Sequence, residues 1–171
     1  MKTCIFIGTR YEALKTVEKF YKIILIITER NSHIDRFYKK KIKKIFIKRQ
    51  NKTKIFKILS KKKVELLFSA GFPFILPAYS FKKKKLLLNS HPSLLPKYKG
   101  LKPIDEMFKN KNKYYGVTIH EINKNVDSGK IIEKVRYNFK TKNLKKIKNY
   151  IFSKLEPKLI YKVLSKINNE Q

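Results

Sequence analysis

Asn89 and His91 stand two residues apart in NSHPSLLPKYKG (89–100), and Asp127 follows 36 positions after His91 (127 − 91 = 36) in NVDSG (125–129). In extended backbone, residues two apart project to one side, so the amide and the imidazole would face a common point. Pro92 and Pro96 stiffen the chain that follows. Asp127 sits among turn-forming residues. An amide, an imidazole and a carboxylate gathered in this way suit chemistry in which negative charge develops on a carbonyl oxygen. A metal site built from His91, His120 and Asp127 is the competing reading, and scattered ligands without close pairing disfavour it. A third reading has Asn89 and His91 merely satisfying a turn. His33 and His120 lack polar companions at useful spacing and read as packing residues.

The elements that must position these groups follow from hydrophobic periodicity. Thr3–Gly8, Lys22–Thr28, Lys44–Ile47 and Val64–Ser69 read as buried strands. Thr9 is the expected cap of a helix through about Phe20, with Ala13, Leu14 and Val17 in phase. Residues 29–41 predict an irregular helix, and Thr53–Lys62 a helix with Ile55, Phe56 and Leu59 inward. This alternation implies βαβ units and an open, mostly parallel sheet. Leu86–Asn89 is a short strand delivering Asn89 and His91 at its carboxyl end, where open α/β sheets bind ligands. Pro103–Lys109 reads as a helix, and Tyr115–Ile122 and Lys130–Phe139 as strands joined by the loop that holds Asp127. From Asn143 on, Leu144, Ile147, Ile151, Leu155, Leu159 and Val163 predict an amphipathic helix docked on the sheet, kinked or restarted at Pro157.

The 171 residues suit one domain that buries roughly 70% of its unfolded surface, and 42% hydrophobic content excludes a disordered chain. No secretory signal or membrane span is evident, and the single cysteine, Cys4, fits a reducing cytoplasm. The formal charge is +31, yet of 43 basic residues only five are arginine (10, 30, 36, 49, 136) and 38 are lysine. Arginine is the usual choice for bidentate and stacked contacts to nucleic acid. Lysine spread over nearly every segment therefore reads as solvated faces. It implies steering of anionic substrates and weak, salt-sensitive, non-specific RNA association.

Three segments, NSHPSLLPKYKG (89–100), GVTIHEI (116–122) and NVDSGKII (125–132), resemble the signature of the folate-dependent formyltransferases. AGFPFIL (70–76) is similar to that family's folate loop. The resemblance runs from about Val64 to about Ile132. It implies a Rossmann-like sheet with helices on both faces, and residues 1–171 as a single catalytic domain without a C-terminal tRNA-binding domain. It also implies formyl transfer from 10-formyltetrahydrofolate to an amine, without a metal. Asn89, His91 and Asp127 would be catalytic, His91 preferably as imidazolium supported by Asp127. Phe72, Phe74, Ile75 and Leu76 would hold the folate, with Asn125 and Val126 on the opposite wall. Thr9, Arg10, Gly71 and Pro92 would meet the acceptor. Because Gly8-Thr9-Arg10 has one glycine, backbone cradling of a phosphate is disfavoured. A small, anionic amine such as a nucleotide-linked amino sugar is the first expectation. Methionyl-tRNA and glycinamide ribonucleotide are alternatives, as is a degenerate fold serving only as a basic RNA- or partner-binding module.

Overall fold

Strand β1 (Thr3–Gly8) sends Cys4 and Phe6 to one face and Ile5 and Ile7 to the other, all fully buried. A strand that is apolar on both sides needs cover on both. In the computed structural model, which describes residues 1–74, 76 and 84–170, helices supply that cover unequally. The Phe6 face packs against α1 (Tyr11–Val17), α4 (Pro103–Lys109), α5 (Leu144–Tyr150) and α6 (Glu156–Asn169). The Ile5 face packs against α3 (Lys52–Lys61) through Ile55 and Leu59. Among the described residues no helix is long and apolar enough to cross a membrane.

The other strands are β2 (Lys22–Thr28), β3 (Lys44–Phe46), β4 (Val64–Ala70), β5 (Lys84–His91), β6 (Tyr114–Glu121) and β7 (Ile131–Asn138). They form one seven-stranded sheet in the order β3-β2-β1-β4-β5-β6-β7. The first five are parallel; β6 pairs antiparallel with β5 and β7 antiparallel with β6, so β6 alone runs against the rest. The expected mostly parallel sheet with helices on both faces is therefore what forms. Strand order reverses between β1 and β4, the place where an open sheet opens a crevice beyond its carboxyl ends. Gly8 brings those two ends together. Its φ is +137°, and a Cβ there would lie 1.9 Å from the Ala70 carbonyl oxygen.

Four local expectations change. β5 extends through His91 because β6 pairs with it as far as His91 opposite Thr118. The helix expected across residues 29–41 contracts to α2 (His33–Phe37), capped by Ser32, whose hydroxyl accepts from the Asp35 amide. Thr9 does not cap α1; Arg10 holds that position and makes no side-chain cap bond. The C-terminal helix is interrupted by a π-helical turn at Ile151–Leu155, after which Pro157 stands in the first turn of α6. Four successive four-residue steps from Ile147 to Val163 would carry the apolar stripe about 160° round a regular helix. A wider turn absorbs part of that drift.

Gly8→Ala should lower the unfolding free energy by ~2–4 kcal/mol, because it combines a disallowed φ with a carbonyl clash. Urea titration followed by circular dichroism checks it.

Candidate active site

Antiparallel pairing of β5 with β6 sets Asn89 opposite His120. Asp127 comes from the loop between β6 and β7, which folds back tightly onto β6. The Glu121 amide donates to Lys130 O at 2.9 Å, and a Cβ on Gly129 would sit 1.7 Å from Glu121 O. Asp127 itself has φ +44°, a left-handed conformation that aspartate tolerates better than most residues. Its Oδ2 accepts the Gly100 amide at 2.8 Å and lies 3.3 Å from His91 Nδ1. Its Oδ1 lies 3.5 Å from both Asn89 Nδ2 and His120 Nε2. The amide, imidazole and carboxylate singled out in the sequence thus converge.

Each remaining ring nitrogen has a fixed partner. His91 Nε2 donates to Tyr98 O at 2.7 Å, and His120 Nδ1 donates to Glu121 O at 2.8 Å. His120 Nε2 lies 3.1 Å from Asn89 Nδ2. That nitrogen can accept from Asn89 as neutral imidazole or donate to Asp127 as imidazolium, but not both. His120 is therefore no bystander. Reading it as a packing residue fails because the pairing register of β5 and β6 brings it beside Asn89.

These groups line a cavity of about 540 Å³ at the carboxyl ends of β1, β4 and β5. Arg10, Gly71 and Pro92 line it as expected of acceptor contacts, and so do Phe72, Phe74, Leu76, Asn125 and Val126 as expected of folate contacts. Thr9 does not. Its hydroxyl turns to the Gly71 carbonyl oxygen, 3.4 Å away, so it supports the wall from behind. Ile75 lies outside the described residues. Leu101, Lys102, Ile122 and Asn123 are among further lining residues that were not anticipated. Val126 and Leu101 are 41% and 69% exposed, leaving apolar surface at the mouth for a ligand to cover.

The family model for formyl transferases matches residues 6–164. The chain belongs to the formyl transferase family. Over 75 residues, 43% of this chain and 6% of the relative, it is 45% identical to the trifunctional purine biosynthetic protein adenosine-3 of Chironomus tentans. Over 167 residues it is 29% identical to the bifunctional polymyxin resistance protein ArnA of Wigglesworthia glossinidia brevipalpis, covering 86% of this chain and 26% of that protein. The chain thus spans 6% and 26% of these two curated relatives' length. The phosphoribosylglycinamide formyltransferase of Streptococcus pneumoniae TIGR4 superposes with a TM-score of 0.83 at 17% identity, over 98% of this chain and 99% of that one. An N-formyltransferase from Helicobacter canadensis, solved with folinic acid and dTDP-3-aminofucose, gives 0.77 at 22% identity over 99% and 65%. These superpositions establish a shared fold.

Within this cavity His91 is shifted away from its charged form. Desolvation is the largest influence and pushes the ring below the ordinary 6.5; Asp127 and the Tyr98 hydrogen bond pull upward, while His120 and Arg10 add to the lowering. That direction runs against the imidazolium that the resemblance implies for His91. For Asp127, burial acts upward, but the His120 contact, the His91 charge and the Gly100 amide outweigh it, and the carboxyl falls below the ordinary 3.8. Neutral His91 with its Nε2 proton on Tyr98 O presents a lone pair on Nδ1 to Asp127. A proton arriving on Nδ1 would gain the Asp127 carboxylate, 3.3 Å away, as a partner that offsets part of the cost of burial.

Both shifts predict acid sensitivity. The unfolded chain binds a proton on His91 near pH 6.5 before the folded chain does, so stability falls as pH drops from there through the folded value. The Asp127 contribution is present above about 3.9 and is lost as pH falls through its lowered value. His91→Gln should remove the first step, and Asp127→Asn should remove the second while widening the first. Unfolding free energies measured from pH 8 to 3 check both.

Proposed function

We propose that this chain transfers a formyl group from 10-formyltetrahydrofolate to the primary amine of a small, anionic acceptor such as a nucleotide-linked amino sugar. The observation that carries the reading is the convergence of Asn89, His91 and Asp127 on one wall of an apolar-sided cavity. A cavity of about 540 Å³ with apolar walls and a few placed polar groups suits a pterin. Phe72, Phe74, Leu76 and Val126 supply the apolar sides, and Asn125 a polar group at the rim. Arg10, Gly71 and Pro92 face the acceptor end. The same residues fit the folate-using chemistry expected above.

In the reaction a neutral amine attacks the formyl carbon, forming a C–N bond and a tetrahedral oxyanion. The amide of Asn89 has one N–H on His120, and its 3.5 Å contact to Asp127 is weak enough to yield the other to that oxygen. His91 begins neutral and takes the proton shed by the amine on Nδ1, where Asp127 welcomes it. Imidazolium and oxyanion then form together, so their attraction acts in the transition state rather than before it. Collapse breaks the bond from carbon to the folate nitrogen, and the same proton passes to that nitrogen as it leaves.

A second acceptor reading, a phosphoribosylated glycinamide, is supported by the 45% identity to a purine biosynthetic protein. Against it stands Gly8-Thr9-Arg10, which offers one glycine and an arginine side chain where a phosphate would need several backbone amides.

Incubation with 10-formyltetrahydrofolate and a panel of amino-sugar nucleotides, glycinamide ribonucleotide and methionyl-tRNA, with products read by mass, tests the reading. Formylation of an amino-sugar nucleotide is expected; no product from any amine would end it. Asn89→Ala should lower kcat by ~100-fold or more and His91→Ala by ~10²–10⁴-fold, with folate affinity little changed. Undiminished turnover in His91→Ala would remove the proton-transfer role.

A further inference from the structure

Behind the reacting pair lies a polar cluster that the transfer chemistry leaves unused. Ser90 stands between Asn89 and His91 and, by strand alternation, projects to the other face of β5. Its hydroxyl donates to Glu156 Oε1 at 2.6 Å. Arg10 Nη1 donates to the same oxygen at 2.5 Å and to the Ser90 carbonyl oxygen at 3.4 Å. The guanidinium carbon lies 4.3 Å from the centroid of the Phe152 ring. The Glu156 side chain is 0% exposed and that of Arg10 is 15% exposed.

Stability does not account for this cluster. A buried ion pair is often no better than apolar residues of similar volume. Glu156 Oε2 also has no hydrogen-bond partner among the described residues, and a buried carboxylate oxygen left unpaired works against stability. Its neighbours on the same helical face, Leu159, Ile160 and Val163, are apolar. An apolar side chain at 156 would fill the space but could not bind two elements at once. Glu156 ties α6 to the residue between Asn89 and His91, and it fixes the plane of Arg10. Among the described residues Nε and Nη2 of Arg10 carry no hydrogen bond, and the side chain lines the cavity.

We infer that Glu156 is a positioning residue for the transfer reaction, holding the Asn89–His91 strand end through Ser90 and orienting Arg10 toward an acceptor bearing a carboxylate or phosphate. The inference rests on the formyl-transfer reading. The groups facing His91 are Asp127 and His120 from the β6 side and Arg10 from the end of β1. Glu156 offsets the charge of Arg10, so its removal reaches His91 electrostatically as well as through Ser90.

Two variants of the full chain separate these links. Glu156→Gln keeps an oxygen for Ser90 and drops the charge; Ser90→Ala drops the tether and keeps the ion pair. Ser90→Ala should lower kcat about tenfold or more with acceptor KM little changed, since small misplacements of reacting groups are expensive. Glu156→Gln should raise acceptor KM as well, by about tenfold. It should also move the His91 titration, followed by NMR without substrate, downward by about half a pH unit. Wild-type kcat and KM with an unmoved titration, and loss of thermal stability alone, would overturn the inference. Should Glu156→Gln not fold, an unchanged kcat in Ser90→Ala overturns it. If the unaltered chain formylates no acceptor, the reaction reading fails by itself. The His91 titration then still decides whether Glu156 acts on that site.

Discussion

The half-buried carboxylate of Asp127 is the contact on which the site's arrangement depends. It receives the Gly100 amide from the loop after β5, faces His91 at the end of β5, and meets His120 on β6. A carboxylate with a 13% exposed side chain must be satisfied by such partners or be driven to its neutral form. Two irregular segments, residues 92–102 and 122–130, are thereby pinned to each other and to the sheet edge. Without that carboxylate, each loop would keep its own turn geometry but lose its position relative to the other. The chemistry proposed for His91 uses the same contact, because a proton on Nδ1 gains that carboxylate as a partner.

Much of this was legible in the residues. Strand and helix periods gave the order of elements, and the i, i+2 spacing of Asn89 and His91 anticipated their common direction. His120 was misjudged because side-chain alternation tells which face a residue takes, not which residue of the next strand stands opposite. The pairing of Asn89 with His120 is a matter of register between strands that α4 separates in the chain. Thr9 was misplaced because a one-residue difference in the helix start turns its hydroxyl toward Gly71. The sign of the His91 shift needed burial, which no spacing reports. Glu156 did leave a trace: it is an acid three and four positions before Leu159 and Ile160, on the face that the apolar stripe marks as inward.

Charge is distributed unevenly between surface and site. The chain carries 38 lysines, yet among the described residues Lys102 is the one lysine on the wall of the cavity, beside Arg10. Arg10 lies over Phe152 with the Glu156 carboxylate on its Nη1, so one guanidinium serves a ring and an anion at once. Arg30 and Arg136 lie over the rings of Phe46 and Tyr114. These three arginines approach their rings to 3.7–4.5 Å, whereas the lysine ammoniums over rings among the described residues stand 5.5–5.9 Å away.

The wide turn at Ile151–Leu155 has a consequence for how the chain tolerates change. Angular phase beyond it is set by how many residues the turn contains, more than by which ones. Apolar exchanges at Ile151 or Leu155 would leave the downstream face pointing where it does. Loss of a single residue there would swivel everything after it by about 100° about the helix axis, taking the carboxylate at 156 out of the interior along with Leu159 and Ile160. The segment should therefore accept spelling changes and resist indels.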